Sequence, residues 1–449
     1  MKRVLLIFLL YNGMGSTYAQ LVKPTPRQLD WQKMETTAFL HFTVNTYTGR
    51  EWGDGTESPK IFNPTAFDAE EMIATLKSAG FKMAIITAKH HDGFCLWPSA
   101  YTEHSVKNSP WKDGRGDIVK ELAAACKKYG IKFGFYLSPW DRHEKSYGTT
   151  AYNTFYKNQL RELLSNYGEI AEVWFDGAKG DQVKMDYDFA GYWSMVRQLQ
   201  PKAVIFSDAG PDVRWVGNES GNAGETSWST IDLTGLAPGK ADEKYLNVGD
   251  PEGKFWVPAE TDVSIRPGWF YHPEEDQKVK TGRQLVNLYY QSVGRNSVLL
   301  LNIPPNQSGR FHAEDINSLK AFRSILDETF RHSLLKGNVA KALTDQQLAT
   351  YMTVKTGQPL IMELKKETSF DRALLQENIA QGQRNELAQL EYWNGTAWTK
   401  LISFTTIGHK RLLRFKPIST SKLRLTVIKA RTNQVQLAEI GLYRASERE

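Results

Sequence analysis

Short apolar runs and amphipathic stretches alternate along the chain from about residue 29 to residue 335. The helical period appears in segments such as Ala69–Ala79 and Asp117–Tyr129, which place their apolar residues on one face. The apolar runs between such segments are strand candidates: Ala38–Phe42, Met83–Ala88, Ile131–Leu137, Val173–Asp176, Ala203–Asp208, Phe255–Pro258 and Ser297–Ile303. Strands and helices that alternate in this way predict a parallel sheet with helices packed on it.

The number of these units favours a closed barrel. Seven or eight strand–helix units fit a (β/α)8 TIM barrel, and no Gly-rich dinucleotide turn follows the first strand, as an open doubly wound sheet would require. The sixth and seventh units are the least well defined by the pattern. A helix predicted over Ala313–Arg331 completes the barrel.

The pattern changes after the last of these helices. Short β-rich runs follow, including Pro359–Leu364, Leu387–Trp393 and Lys422–Ile428, with turn residues such as Asn394-Gly395 between them. A region of this size with several short strands predicts a β-sandwich, and it resembles a discoidin-like domain. We therefore expect a barrel over residues 20–335 and a β-sandwich over residues 336–449.

The N-terminus has the features of a secretory signal peptide over residues 1–19. Lys2 and Arg3 precede the apolar run Val4–Leu10, and Ala19 fits the cleavage site. The apolar run is far shorter than the ~20 residues that cross a bilayer, so we expect export to the periplasm or the medium and no membrane span. An exported chain with only Cys95 and Cys126 does not depend on a disulfide framework, and two buried thiols are expected.

The charge balance argues against nucleic acid as a partner. The net charge is +6, but it comes from 56 basic and 50 acidic residues without a Lys/Arg block. Neither this composition nor any motif indicates an oligomeric state.

Residues 171–178, Ala-Glu-Val-Trp-Phe-Asp-Gly-Ala, bring one carboxylate to the end of an apolar strand. Side chains alternate along a strand, so Trp174 and Asp176 share one face. An aromatic ring beside a lone acid indicates sugar chemistry. The alternative is that Asp176 is only a turn residue bonding its own backbone.

In a TIM barrel the active site lies at the C-terminal ends of the strands. Hydrolysis of a glycosidic bond there needs two carboxyl groups. Asp176 is the candidate nucleophile, and Glu219 is preferred over Glu225 as its acid/base partner. Either glutamate could instead be a solvated loop residue.

Histidines follow two of the predicted strands. His41, His90 and His91 are candidates for bonding sugar hydroxyls. They could instead bind a metal with Asp92, but consecutive residues of an extended chain face opposite ways and no metal-ligand motif is present. A third possibility is that His91 and Asp92 form a structural pair that closes the second strand.

Several motifs together identify the family that the barrel resembles. They are Phe39–Phe42 (FLHF), Glu51-Trp52, Ala88–Phe94 (AKHHDGF), Phe135–Asp141 (FYLSPWD), Trp174–Gly177 (WFDG) and Ser292–Asn296 (SVGRN). In this order, after successive strands, they resemble the α-L-fucosidases of glycoside hydrolase family 29. The segment Arg214–Glu219 (RWVGNE) resembles the subgroup that prefers α-1,3/1,4-linked fucose on Lewis-type glycans.

The resemblance implies a role for each matching residue. Asp176 matches the nucleophile and Glu219 the acid/base of an exo-acting, retaining enzyme. The residues matching those that bind or pack against fucose are His41, Glu51, Trp52, His90, His91, Tyr136, Trp174 and Trp269. The partner implied is a fucosylated oligosaccharide or glycoconjugate, with no cofactor and no metal.

Two alternatives to this hypothesis remain. A non-catalytic glycan-binding protein on a degenerate barrel would keep the aromatic and histidine residues without requiring both acids. A metal-dependent hydrolase would use the histidine cluster. The presence of both Asp176 and Glu219 favours the fucosidase.

Overall fold

The computed structural model describes residues 21–180 and 183–449, so the predicted signal peptide lies outside the described residues. Eight parallel strands close into a barrel, each paired with the next along the chain and the last paired with the first. They are β1 (Thr36–Leu40), β2 (Met83–Lys89), β3 (Lys132–Leu137), β4 (Glu172–Trp174), β5 (Val204–Ser207), β6 (Val213–Trp215), β7 (Ala259–Ser264) and β8 (Val298–Asn302).

Helices surround this barrel and cover its outer face. The described α-helices are Pro26–Gln32, Asn45–Thr48, Ala69–Ser78, Ile118–Tyr129, Thr150–Asn166, Phe189–Leu199, Glu243–Val248, Gly282–Gln291 and Ala313–Phe330. Single 3-10 turns occur at Pro59–Ile61, Val106–Asn108, Trp111–Gly114, Pro273–Lys278, Lys341–Leu343 and Ile379–Gln381. Of the described helices, none combines the length and apolar composition that crossing a membrane requires.

The sixth and seventh barrel strands differ from the prediction. Phe255–Trp256, predicted as a barrel strand, pairs antiparallel with Thr230–Ile231 in a small sheet outside the barrel. The barrel strand that follows is β7, which is fully buried although Glu260 and Asp262 interrupt its apolar pattern. The sixth strand, β6, has three residues and is absent from the predicted strands. Both differences arise because these strands carry little apolar sequence.

Two apolar layers hold the barrel together. Inward-facing residues such as Phe39, Ile85, Trp174, Phe206 and Leu300 fill its interior. A larger layer packs the outer face of the strands against the helices and contains Cys95 and Cys126, which are both buried free thiols as expected.

The C-terminal region forms an antiparallel sheet with a core of its own. Its strands are β9 (Gly337–Asn338), β10 (Met352–Lys355), β11 (Pro359–Glu377), β12 (Asn385–Trp393), β13 (Trp398–Phe404), β14 (Arg411–Ala430) and β15 (Gln434–Tyr443). They lie in the order β10-β15-β11-β14-β12-β13, with β9 paired to β11. The predicted fold class, a TIM barrel followed by a C-terminal β domain, is confirmed.

The β domain contacts the barrel loop at residues 225–229. Thr405 Oγ1 donates to the carbonyl of Glu225 at 2.8 Å, and the amide of Ser227 donates to Thr406 Oγ1 at 2.9 Å. The amide of Ser229 donates to Gln383 Oε1 at 2.8 Å. The backbone of this loop is therefore held by hydrogen bonds from the second domain.

Candidate active site

A cavity of about 180 Å³ opens at the C-terminal ends of the barrel strands. Its lining is aromatic and polar and contains every predicted site residue except Glu51. The lining residues are Phe39, His41, Trp52, His90, His91, Tyr136, Trp174, Asp176, Ala178, Glu219, Asp262 and Trp269. A small cavity with several convergent polar groups is the usual form of a ligand site.

Asp176 lies two residues beyond the end of β4. Its Oδ1 accepts a hydrogen bond from the amide of Ala178 at 2.8 Å, so the turn interaction expected from the sequence is present. Its Oδ2 accepts from the hydroxyl of Tyr136 at 3.0 Å and lies 3.8 Å from His91 Nε2. One oxygen thus fixes the turn, while the other lies among groups of the cavity.

The histidines converge more closely than strand alternation predicts. The rings of His90 and His91 lie 4.1 Å apart and both line the cavity, because the strand ends at Lys89 and the two residues lie in a loop. The third possibility, a structural pair of His91 with Asp92, does not occur in the structure. Asp92 instead accepts from Thr43 Oγ1 and the amide of Phe94, whereas His91 Nδ1 lies 2.7 Å from Ser138 Oγ.

Burial keeps these imidazoles neutral. It lowers the pKa of His41 to about 3, although Asn302 Oδ1, 2.8 Å from its Nδ1, acts in the opposite direction. Burial likewise lowers the pKa of His91 to about 4 against the opposing charge of Asp176. A neutral imidazole offers one donor and one acceptor, which suits the hydroxyl groups of a sugar.

The metal alternative has no ligand cluster in this part of the molecule. Within residues 21–180 and 183–449, no group of three or more His, Cys, Asp or Glu side chains is arranged to hold a metal ion.

The two candidate acid/base residues lie in different places. Glu219 is at the exposed rim of the cavity, where Trp269 Nε1 donates to its Oε2 at 3.3 Å. Partial burial raises the pKa of Glu219, and the charges of Asp176 and Glu51 add to this effect. Glu225 lies outside the cavity at the domain interface and pairs with Arg295 and Arg411.

Glu51, for which the resemblance implies a sugar contact, does not line the cavity. Its carboxylate accepts from the amide of Trp269 at 2.7 Å and lies 2.6 Å from His272 Nε2. It therefore holds the loop that places Trp269 beside Glu219. Trp52, its neighbour in the chain, lines the cavity and is 61% exposed.

Trp174 lines the inner part of the cavity, and its side chain is held by a stacking contact and a hydrogen bond. Its ring stacks on Phe206 with centroids 4.0 Å apart, and its Nε1 donates to Glu260 Oε1 at 2.9 Å. Glu260 is completely buried, as is Glu172, whose Oε2 accepts from Trp31 Nε1 at 2.7 Å.

These two buried glutamates form a carboxyl pair in the barrel interior. Their other oxygens, Glu172 Oε1 and Glu260 Oε2, receive no hydrogen bond from an N–H or O–H group among the described residues. Neighbouring carboxylates disfavour each other's ionised form. Burial raises the pKa of Glu172 to about 8, and burial together with the charge of Glu172 raises the pKa of Glu260 well above its ordinary value, so these carboxyl groups keep protons at neutral pH.

These retained protons predict an effect of Glu260→Gln on stability. Between about pH 4.5 and pH 8 the native protein holds protons that the unfolded chain releases, so the free energy of unfolding falls as the pH rises. A glutamine at position 260 can accept from Trp174 and donate to Glu172 without having a carboxyl proton to lose. We expect the variant to gain stability relative to the wild type by about 1 kcal/mol or more between pH 4.5 and pH 8, since one pKa unit corresponds to ~1.4 kcal/mol.

Denaturant unfolding at pH 4.5 and at pH 8, followed by tryptophan fluorescence, measures the change in the free energy of unfolding for each protein. The control is Glu314→Gln, at an exposed helix position, which should leave the pH dependence as in the wild type. An equal pH dependence in the Glu260→Gln variant and the wild type would contradict the raised pKa of Glu260.

Asp262 is a cavity residue that sequence reasoning missed. It lies on β7, where Glu260, Asp262 and Ser264 follow the period of two and share the inner face. The alternating polar residues of Ala259–Ser264 were the available indication, but the apolar run Phe255–Pro258 ends just before this strand.

A second, wider cavity of about 550 Å³ adjoins the first and shares Trp52 with it. Trp52 and Trp140 meet edge to face with centroids 6.1 Å apart, and Arg142 and Tyr147 continue the wall. The site therefore consists of a small inner cavity and a wider outer one, with Trp52 in the lining of both.

Together these features define a class of enzyme. A carboxylate and a second carboxyl group with a raised pKa lie at the C-terminal end of a TIM barrel, with indoles and neutral imidazoles around them. This combination is typical of a glycoside hydrolase.

Comparison with known proteins identifies the family. The family model described as alpha-L-fucosidase matches residues 13–328. The chain is 47% identical over 443 residues to alpha-L-fucosidase 1 of Arabidopsis thaliana, covering 94% of this chain and 87% of that protein. The chain belongs to the α-L-fucosidases of glycoside hydrolase family 29.

Solved structures agree with this assignment. A glycoside hydrolase 29 family member from an unknown rumen bacterium is 44% identical, with a TM-score of 0.87 over 95% of this chain and 78% of that chain. A Ruminococcus gnavus GH29 fucosidase in complex with fucose is 35% identical, with a TM-score of 0.86 over 95% of this chain and 96% of that chain.

Proposed function

We propose that this α-L-fucosidase is an exo-acting, retaining enzyme that removes terminal α-1,3/1,4-linked L-fucose from branched, Lewis-type glycans. The observation that carries the proposal is that Asp176 and Glu219 line the same small cavity. Glu225, the other candidate acid, lies in an ion pair elsewhere.

The reaction takes two steps in this proposal. An oxygen of Asp176 forms a bond to the anomeric carbon of fucose, while the bond from that carbon to the glycosidic oxygen breaks and Glu219 gives its proton to the departing oxygen. Glu219 then takes a proton from water, whose oxygen attacks the anomeric carbon and releases Asp176. The raised pKa of Glu219 suits the first step, because the group must hold a proton until the leaving oxygen takes it.

The charge of Asp176 contributes to this cycle. It is one cause of the raised pKa of Glu219, and it disappears when the fucosyl–enzyme bond forms. Glu219 then loses its proton more readily and can act as a base toward water.

The lining residues suit fucose as the bound sugar. The imidazoles of His41, His90 and His91 can bond its hydroxyl groups, and the indoles of Trp174 and Trp269 offer apolar area to its methyl group and ring. The cavity has room for one ring, which supports removal of a terminal residue.

The linkage preference rests on the surroundings of this cavity. The adjoining space beside Trp52 and Trp140 can hold the sugars of a branched glycan. The segment Arg214–Glu219 also resembles the subgroup with α-1,3/1,4 preference. The signal peptide predicted over residues 1–19 adds export to the proposal.

The test is hydrolysis of a Lewis-type trisaccharide, the isomeric α-1,2-fucosylated trisaccharide and an aryl α-L-fucoside by the purified protein. We expect faster release of fucose from the Lewis-type substrate than from its isomer, and NMR should show the α-anomer as the first product. Equal rates on both trisaccharides would overturn the linkage preference, and β-fucose as the first product would overturn retention. Binding without release from any substrate would favour a glycan-binding protein.

A further inference from the structure

Asp262 is a buried acid of the cavity to which neither the resemblance nor the mechanism gives a role. Its side chain is 4% exposed and lines the cavity together with Glu219 and Asp176. Trp215 Nε1 donates to its Oδ1 at 2.8 Å, and no other described side chain bonds the carboxyl group. Its second oxygen, Oδ2, is therefore left for a ligand in the cavity.

The ionisable side chains that act on Asp262 are acids. Glu219 lines the same cavity, and Glu260 lies two residues earlier on the same inner face of β7. None of the ion pairs among the described residues includes Asp262. Burial first, and then the charge of Glu219, raise the pKa of this carboxyl well above its ordinary value.

We propose that Asp262 is a further substrate-binding residue, which holds fucose as a neutral carboxylic acid by donating a hydrogen bond from Oδ2 to an oxygen of the sugar. The hydrogen bond from Trp215 supports this geometry, because it makes Oδ1 the acceptor and leaves the proton on Oδ2. The proposal rests on fucose as the bound sugar, as in the proposed function, but it does not depend on the linkage preference or on the anomeric outcome.

A neutral donor and an anion respond differently to asparagine. Asparagine keeps the size of the side chain, and it can accept from Trp215 with its oxygen and donate to the sugar with its amide group. Alanine removes both interactions. A residue that acted through its negative charge would lose its function equally in both variants.

The experiment compares Asp262→Ala and Asp262→Asn with the wild type. Isothermal titration calorimetry measures the affinity for L-fucose, and an aryl α-L-fucoside gives kcat and KM. For Asp262→Ala we expect the Kd for fucose and the KM to rise by about 3- to 10-fold, the range for one lost hydrogen bond between neutral groups. Asp262→Asn should keep the wild-type affinity and KM.

Thr261→Val is the matched control, because Thr261 lies on the opposite face of the same strand and bonds the carbonyl of Val298. Its kinetic constants should equal those of the wild type. If Asp262→Ala does not fold, Asp262→Asn still decides, since wild-type binding supports a neutral donor and lost binding overturns it. Wild-type affinity in a folded Asp262→Ala variant would also overturn the proposal.

The same measurements separate this proposal from the proposed function. If the wild type binds fucose but hydrolyses none of the three substrates, the proposed function fails, while the fucose affinities still decide the role of Asp262.

Discussion

Replacing Asp176 with alanine is expected to lower kcat by roughly 10⁴-fold or more, as is typical when a nucleophile is removed. The variant loses the oxygen that would bond to the anomeric carbon and the charge that stabilises the transition state. The fold should remain, because one oxygen of Asp176 makes only a local turn hydrogen bond with Ala178. The measurement is kcat and KM with an aryl α-L-fucoside, together with thermal unfolding.

Two further results sharpen this test. Azide can enter the space left by the carboxylate, and we expect it to restore turnover with a β-fucosyl azide as the product. The matched control is Asp208→Asn, at the end of the neighbouring strand β5, where the carboxylate accepts from the amide of Gly239 and does not line the cavity. Substantial activity in Asp176→Ala without azide would remove Asp176 from the mechanism.

Glu219→Gln is expected to lower kcat by about 10²- to 10⁴-fold on substrates whose leaving group is a sugar, the usual contribution of a general acid. The reason is that the departing sugar oxygen then has no proton donor. A nitrophenolate leaves without protonation, so the first step should be much less affected with a nitrophenyl fucoside. The ratio of the two losses, measured on a Lewis-type trisaccharide and the nitrophenyl substrate, identifies the role of Glu219.

Glu225→Gln provides the comparison within the same loop region. Its ion pairs with Arg295 and Arg411 lie at the domain interface, so we expect nearly wild-type kinetics on both substrates and a lower unfolding temperature. If the loss of kcat depended on the leaving group in Glu225→Gln and not in Glu219→Gln, Glu225 would be the acid/base residue and Glu219 would not.

The sequence predicted the parts of the barrel that follow a simple apolar period. Strands β1 to β5 and β8 lie within one or two residues of the predicted runs at most ends, because their residues are buried and apolar. Strand β7 was misplaced because its inner face carries Glu260 and Asp262, which are buried through hydrogen bonds with indoles and not through apolar character. Apolar periodicity cannot predict the burial of a polar residue whose hydrogen-bond partners come from distant parts of the chain.

The candidate site likewise has features that the sequence predicts and others that only the fold reveals. The motifs contain most of the residues that line the cavity, because most of them lie at or shortly after the end of a strand and strand ends meet at one edge of the barrel. The contacts between distant segments could not be read from sequence. Glu51, for example, bonds the loop at Trp269 across 218 positions of the chain, so its place behind the cavity becomes visible only in the fold.

The hydrogen bonds between the β domain and residues 225–229 bear on how such a protein can change over evolutionary time. This loop begins six residues after Glu219, and its peptide groups have partners on Thr405, Thr406 and Gln383 of the other domain. A barrel joined to a different domain would leave those peptide groups without these partners, in the segment that follows Glu219. We therefore expect exchange of the β domain between related proteins to be tolerated only where the incoming domain supplies equivalent hydrogen-bond partners for this loop.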